Sequence, residues 1–330
     1  MKSCVTGGAG FIGSHLVDAL LDLGHEVTVL DNFSTGREEN LIDAKGHIRI
    51  CDCDLSVDGE WRDELEGVDW VFHLAALADI VPSIQEPRAY FQANVDGTFN
   101  ILHASHQHDV GRFVYVGSSS SYGIPKFFPT PEDAEIAPQY PYALTKYLGE
   151  ELVLHWAQVY GLPALTLRFF NVYGPRSRTS GTYGAVFGVF LAQKLAGEPF
   201  TVVGDGEQTR DFTYVSDVVA ALIAAAESSR SSRVYNVGSG KTVSINEIVK
   251  LLEGKTVFVP KRPGEPDCTF ADISRVQAEL GWHPEVSIEK GVLQLLENIE
   301  HWRAAPVWKP DSIAEATRDW FMYLGNKKSS

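Results

Sequence analysis

The chain has 330 residues, of which 44% are hydrophobic and 22% charged, and its formal net charge is −15 at pH 7. This length allows one large domain with a smaller one beside it, and the acidic excess argues against nucleic acid or an anionic membrane surface as the main partner. No apolar run approaches the ~20 residues that a membrane-spanning helix needs. No leader segment precedes the first predicted strand, so we expect a cytoplasmic protein.

Five short apolar runs predict the strands of a parallel sheet. They lie at residues 3–6, 25–32, 47–55, 68–76 and 112–120. Helical patterns lie between them, including residues 89–108, where apolar side chains recur at intervals of three and four. Strands that alternate with helices are typical of βαβ units, and almost wholly apolar strands fit a sheet covered on both faces. The sequence therefore predicts an α/β fold.

The pattern becomes less regular after residue 170. Residues 199–217 mix strands with turns rich in Gly and Asp, and residues 232–240 predict a strand that ends in a turn. Ser244 is the predicted N-cap of a helix over residues 242–252. From residue 301 a proline-containing loop precedes an amphipathic helical pattern, whose tryptophans we expect to serve as packing anchors.

A glycine-rich turn follows the first strand. Gly7, Gly10 and Gly13 are spaced by two residues each, between a strand and a helix. Such a turn lets the backbone approach a pyrophosphate, whose charge then lies at the helix N-terminus. Asp31 ends the second strand 18 residues after Gly13, where an acid can accept hydrogen bonds from an adenosine ribose. That acid would repel a 2′-phosphate, so the pattern favours NAD over NADP.

Metal and thiol chemistry have little support in the sequence. Cys4, Cys51, Cys53 and Cys268 show no repeated metal-ligand spacing. We interpret them as small packed side chains and predict that the protein holds no metal.

A tyrosine and a lysine form the strongest catalytic pattern. Tyr142 and Lys146 lie four residues apart on a predicted helix, so their side chains share one face. An ammonium beside a phenol favours the phenolate and brings its pKa toward the range of a general base. The serine run over residues 116–123 follows the fifth strand, at the sheet edge where α/β folds bind ligands. An exposed helix face and a solvated loop are the ordinary alternatives.

Together these features resemble the extended short-chain dehydrogenase/reductase superfamily, and within it the nucleotide-sugar group typified by UDP-glucose 4-epimerase. The resemblance covers about residues 2–296. Its more specific motifs are "DNFSTG" (31–36), "HLAA" (73–76), "RFFNVYGPR" (168–176), "VVGDGEQTRDFTYVSDV" (202–218), "NVGSG" (236–240), "RPGEPD" (262–267) and "ADISRVQAELGWHP" (271–284).

The resemblance implies a Rossmann-type doubly wound parallel sheet with a smaller C-terminal α/β substrate-binding domain. The NAD-binding domain would span residues 1–170, with further elements from about 205–235. The nucleotide-sugar-binding domain would be mainly 171–300, and residues 301–330 would form a helical extension. The family also implies a homodimer formed through helices near 89–108 and 143–160, although these faces suit an internal core as well.

Family roles transfer to matching positions of this chain. Tyr142 would be the base, Lys146 would bind the nicotinamide ribose, and Ser118 would be the catalytic serine. The residues expected around NAD are Gly7, Gly10, Phe11, Ile12, Gly13, Asp31, Asn32, Asp54, Leu55, Leu74, Ala75, Ala76, Asn94, Tyr142, Lys146 and Phe169. Those expected around the nucleotide-sugar are Ser118, Ser120, Asn171, Val186, Arg210, Arg262, Glu265 and Thr269.

The implied reaction depends on residues next to Ser118. Related 4,6-dehydratases carry Asp-Glu where this chain has Ser119 and Ser120, and related decarboxylases usually carry Glu at the second position. Uronate 4-epimerases typically carry Thr in place of Asn171. The sequence therefore favours NAD-dependent C4 epimerisation of a neutral nucleotide-hexose through a 4-keto intermediate. Another dehydratase, decarboxylase or reductase of the superfamily is one alternative, and a non-catalytic NAD-binding sensor is another.

Two positions bear on the sugar. Thr269 occupies the place that sizes the sugar pocket in the family, and a small residue there predicts that N-acetylated hexoses fit. The segment at residues 176–190 is expected to cover the sugar or the base.

Overall fold

The computed structural model of the protein describes residues 1–177 and 185–325, and their strands fall in these positions. The strands are β1 (Lys2–Thr6), β2 (Glu26–Asp31), β3 (Ile48–Asp52), β4 (Trp70–His73), β5 (Arg112–Ser118), β6 (Ala164–Phe169), β7 (Val172–Tyr173), β8 (Phe200–Val203), β9 (Thr209–Arg210), β10 (Thr213–Tyr214), β11 (Arg233–Val237), β12 (Val243–Ser244) and β13 (Thr256–Val259).

The helices lie between these strands and continue to the C-terminal end of the described chain. They are α1 (Phe11–Asp22), α2 (Ile80–Gln85), α3 (Pro87–Phe91), α4 (Gly97–Gln107), α5 (Pro141–Val159), α6 (Val186–Ala196), α7 (Val215–Glu227), α8 (Ile245–Leu252), α9 (Ser274–Leu280), α10 (Ile288–Glu297), α11 (Pro310–Ala316) and α12 (Arg318–Leu324).

Seven strands form one parallel sheet in the order β3-β2-β1-β4-β5-β6-β11. Successive side chains of a strand point to opposite faces, and both faces of this sheet are buried. Val5 packs on the face covered by α1 and α7, whereas the neighbouring Cys4 packs on the face covered by α4 and α5. The predicted Rossmann-type α/β fold is therefore confirmed.

A second apolar core lies C-terminal to the sheet strands. It is built from α6, β8, α8 and α10, with Trp302 fully buried among them. Ser244 accepts a hydrogen bond from the backbone of Glu247, whose side chain returns to the Ser244 backbone, so the predicted N-cap is confirmed as a capping box.

A buried ion pair fixes the helix that carries Tyr142 and Lys146. Arg168 of β6 donates to both carboxylate oxygens of Glu150 on α5, at 2.9 and 2.6 Å, and also to the Tyr122 hydroxyl at 2.7 Å. Both partners are almost completely buried, and such a pair is favourable only when its hydrogen bonds are satisfied. The network therefore locks α5 against the sheet one turn beyond Lys146.

Two helical predictions differ from the structure. The pattern over 89–108 predicts one helix, but α3 and α4 are joined by a π-helical turn at Gln92–Asp96. The tail predicts one amphipathic helix, but the structure has α11 and α12, which meet at Thr317. Across the described ranges, 1–177 and 185–325, no helix is both long and apolar enough to cross a bilayer.

Candidate active site

The glycine turn leaves no room for side chains. Gly10 is the N-cap of α1, and Gly7 has φ +69°, in the left-handed region that favours glycine. A Cβ on Gly7 would stand 2.7 Å from the Ala75 nitrogen, and one on Gly13 would collide with the Gly7 carbonyl oxygen. Bare backbone at the N-terminus of α1 therefore faces the cleft, as binding of a pyrophosphate requires.

Asp31 links the end of β2 to this turn. Its carboxylate accepts hydrogen bonds from the Ala9 nitrogen at 2.9 Å and the Phe33 nitrogen at 2.8 Å. Burial raises the pKa of Asp31, and these two bonds oppose that rise. The side chain lies in the cleft wall, where a carboxylate can bind ribose hydroxyls and excludes a second anion.

One cleft of about 680 Å³ runs from the glycine turn to the elements after β7. Most residues predicted from the sequence to bind NAD or substrate line it. They are Gly7, Gly10, Phe11, Ile12, Gly13, Asp31, Asn32, Asp54, Leu55, Leu74, Ala75, Ala76, Ser120, Tyr142, Asn171, Val186, Arg210, Arg262 and Glu265.

The other predicted residues lie behind the cleft wall. They are Ser118, Lys146, Asn94, Phe169 and Thr269. Asn94 is buried, accepts from the Leu77 nitrogen at 2.8 Å and donates to the Leu77 carbonyl at 3.0 Å. It therefore holds the loop after β4 in place. Phe169 is paired with Ser118 in the register of β5 and β6.

Tyr142, Ser118 and Lys146 converge where β5 meets α5. The Tyr142 phenol is hydrogen-bonded to Ser118, and the Lys146 ammonium lies over the Tyr115 ring at 4.3 Å from its centroid. Burial raises the pKa of Tyr142, while its bond to Ser118 opposes that rise. Burial also lowers the pKa of Lys146 to about 7, with Glu150 acting in the opposite direction. In the protein alone, burial outweighs the expected stabilisation of the phenolate.

Two arginines and a glutamate form a charged cluster on the opposite wall. Arg210 contacts Glu265 at 3.0 Å, and the Arg262 guanidinium lies 3.8 Å from the same carboxylate. Asn171 lies nearby and donates to the Thr269 hydroxyl at 2.7 Å. Converging guanidinium groups are suited to a diphosphate, and they place local positive charge in a protein with a net charge of −15.

Some cleft residues were missed by the sequence patterns. Asp79 follows β4 and lies close enough to Tyr142 to raise the pKa of its phenol. Trp308 and Trp320 of the tail also line the cleft. The apolar pattern of the tail predicts packing, and Trp320 does pack on Val81, but local sequence contains no signal that this packing adjoins a cleft.

The predicted cover of the sugar or base is visible only at its ends. Arg176 and Ser177 precede it, Val186 begins α6 after it, and all three residues line the cleft. Residues 178–184 lie outside the described residues.

The glycine turn, the acid after β2 and the Tyr–Lys pair have a counterpart among known families. Residues 3–238 match the model of the NAD dependent epimerase/dehydratase family. The chain belongs to this family. NAD is its cofactor, and the bare glycine backbone and Asp31 fit that dinucleotide.

Members of the epimerase/dehydratase family with different activities are similar to this chain. UDP-glucose 4-epimerase of Thermotoga maritima, solved with UDP-glucose, is 36% identical, with a TM-score of 0.85 over 92% of this chain and 99% of its own. UDP-glucuronic acid 4-epimerase of Bacillus cereus, solved with UDP-glucuronic acid and NAD, is 33% identical, with a TM-score of 0.84 over 91% and 99%. UDP-N-acetyl-alpha-D-glucosaminuronate decarboxylase of Bacillus cytotoxicus is 34% identical over 90% and 97%.

Proposed function

We propose that the protein is an NAD-dependent isomerase that epimerises the C4 centre of a neutral nucleotide-activated hexose, UDP-glucose and UDP-galactose foremost. The observation that carries this proposal is the convergence of Tyr142, Ser118 and Lys146 on the cleft that also holds Arg210 and Arg262. The same cleft thus offers a proton acceptor at one wall and a diphosphate site at the other.

The side chains divide the work by their position. Tyr142 takes the proton of the C4 hydroxyl, and Ser118, which bonds the same phenol, orients that hydroxyl. NAD, when bound, accepts and returns the hydride. Arg210 and Arg262 hold the diphosphate, so the 4-keto sugar stays in the cleft while its ring turns. Tyr142 then returns the proton to the opposite epimer.

Two features favour epimerisation over the related outcomes. Ser119 and Ser120 form the short turn Ser119–Tyr122, and neither hydroxyl can perform the acid-base steps of a dehydratase. Asp79 adds a carboxylate to the cleft beside Tyr142, and like charge disfavours a uronate there. A dehydratase, decarboxylase or reductase is the alternative within the family. A non-catalytic NAD sensor is the alternative outside enzymes.

An assay of product from a panel of UDP-, dTDP-, CDP- and GDP-sugars tests the proposal. We expect UDP-glucose to be converted to UDP-galactose, seen by NMR, with little net absorbance at 340 nm because hydride returns in each turnover. UDP-glucuronate should be turned over at least about 10-fold more slowly, since its carboxylate would face Asp79. A 4-keto-6-deoxy product would identify a dehydratase, and no product from any sugar would leave the sensor.

The same panel tests the sugar range. Thr269 is small and its hydroxyl lies 2.7 Å from the Asn171 amide nitrogen, so we expect UDP-GlcNAc and UDP-GalNAc to be interconverted as well. Turnover of UDP-glucose without any turnover of UDP-GlcNAc would refute this prediction.

We also propose that two copies associate through α3, α4 and α5. Phe91, Phe99 and Leu144 on these helices are 44–45% exposed, more than large apolar side chains need be when a partner is available. Sedimentation equilibrium is expected to give twice the mass of the 36.3 kDa chain. A monomer at micromolar concentration would contradict the association.

The two apolar cores support the proposed division into an NAD-binding part and a nucleotide-sugar-binding part, with α7 and β11 returning to the first. The four cysteines are unpaired, as is usual in a reducing compartment. We therefore place the reaction in the cytoplasm, which cell fractionation would test.

A further inference from the structure

The C-terminal segment, residues 301–325, lies beyond the part of the chain that matches the family model, which ends at residue 238. Relatives are matched over 97–99% of their own length but over only 90–92% of this chain. The segment begins at the second apolar core, where Trp302 is fully buried. It then passes along the cleft, where Ala305, Pro306 and Trp308 form part of the wall.

Helix α12 joins two elements that border the cleft. On one side Trp320 and Leu324 pack with Val81 of α2, and the side-chain amide of Gln85 donates to Asp319 at 2.7 Å. On the other side the indole Nε1 of Trp320 donates to the Pro263 carbonyl at 2.7 Å. The helix therefore connects the wall beside Asp79 with the loop that carries Arg262 and Glu265.

Trp320 stands between the two chemical ends of the cleft. Its ring lies under the Arg262 guanidinium, 5.2 Å from the carbon of that group to the ring centroid. Its other contact is Tyr140, at 6.4 Å between centroids, and Tyr140 stacks on Tyr142 with an interplanar angle of 8°. Trp320 is itself only 4% exposed, so this geometry is fixed by packing on several sides.

We propose that α12 is part of the nucleotide-sugar site and that Trp320 is a positioning residue, which holds Arg262 toward the substrate diphosphate. An arginine side chain has many rotamers, and stacking on an indole face removes most of them before the ligand arrives. The Nε1 bond to Pro263 fixes the backbone of the same loop. This inference rests on the proposed function only in requiring that the ligand contains a nucleoside diphosphate.

Binding of UDP and of uridine to the NAD-loaded protein tests the proposal, measured by calorimetry on the full chain. Trp320→Leu keeps an apolar group in the cluster but removes the aromatic face and the Nε1 donor. We expect it to weaken UDP binding about 10-fold and to leave uridine binding unchanged, because uridine has no diphosphate for Arg262 to contact. Trp320→Phe restores a ring face and should recover part of the loss. Tyr323→Ala, which removes a 59%-exposed ring from the same helix, should bind UDP as the wild type does.

A double-mutant cycle separates positioning from general damage. Arg262→Ala is expected to weaken UDP binding about 10–100-fold, and adding Trp320→Leu should change it by less than about 2-fold further, since the lost interaction acts through Arg262. Additive losses, equal losses for UDP and uridine, or wild-type affinity in Trp320→Leu would each overturn the proposal.

The outcome for catalysis is read separately. In the epimerase assay Trp320→Leu should raise KM with little change in kcat. If the wild type binds UDP, dTDP, CDP or GDP but forms no epimer, the proposed function fails while the binding cycle still decides the role of Trp320. If the wild type binds none of these diphosphates, both proposals fail.

Discussion

Replacing Tyr142 by phenylalanine is expected to reduce turnover roughly 10²–10⁴-fold, the usual contribution of a positioned general base. The substitution removes only the phenol oxygen that is hydrogen-bonded to Ser118. The ring keeps its edge contact with Tyr90 and its stacking on Tyr140. Folding, NAD content and UDP affinity should therefore remain, while formation of the C4 epimer, followed by NMR, is lost.

Tyr140 provides a matched control for this experiment. It is a neighbouring buried tyrosine whose hydroxyl bonds Ser120 rather than Ser118, and burial raises its pKa far above the usual value. A phenol with so high a pKa is a poor proton acceptor at neutral pH. Tyr140→Phe should retain turnover within about 10-fold of the wild type. Near-normal turnover in Tyr142→Phe would contradict the proposed role of the phenol.

The parts of this site that the sequence predicts are those defined over short distances. The spacing of Gly7, Gly10 and Gly13 determines a turn within seven residues, and the turn must face the end of the sheet because β1 is central. Tyr142 and Lys146 share a helix face because four residues make about one turn. Alternating apolar strands and helices determine the fold class in the same way, since each pattern reports its own burial.

The remaining parts depend on packing between distant segments. Asn94 was expected to line the cofactor, but the π-helical turn at Gln92–Asp96 places its amide on the backbone of Leu77 instead. Trp320 meets the Pro263 carbonyl across 57 residues of chain, and no local period encodes that contact. The pKa values of Tyr142 and Lys146 likewise depend on how much solvent the assembled fold excludes.

Lys146 gives rise to a prediction in which stability and activity change in opposite directions. Burial lowers its pKa from 10.5 to about 7, so the folded chain resists a protonation that the unfolded chain accepts. The cost to folding is absent above about pH 10.5, grows as the pH falls to about 7, and is constant below that value. Lys146→Met removes the charge but keeps the length, and methionine packs well against the Tyr115 ring.

In NAD-free protein we therefore expect Lys146→Met to be about 2–4 kcal/mol more stable than the wild type at pH 6 in urea unfolding, with the difference shrinking toward pH 10. NAD must be absent because a ligand that binds only the folded wild type would stabilise it and hide the gain. The same variant should lose most turnover, since the predicted ribose contact and the charge beside Tyr142 are gone.

Lys146→Arg is the informative comparison. A guanidinium cannot give up its proton in this pH range, so this variant should be less stable than the wild type at every pH tested. The nearby charges constrain the interpretation, because Glu150 is already bound by Arg168 and the buried His73, whose pKa is lowered to about 3, stays neutral. A Met variant that is no more stable at pH 6, or a difference that does not vary with pH, would mean that Lys146 is charged in the folded protein. In that case the ammonium would already be available to Tyr142, and the protein would not depend on ligand binding to supply it.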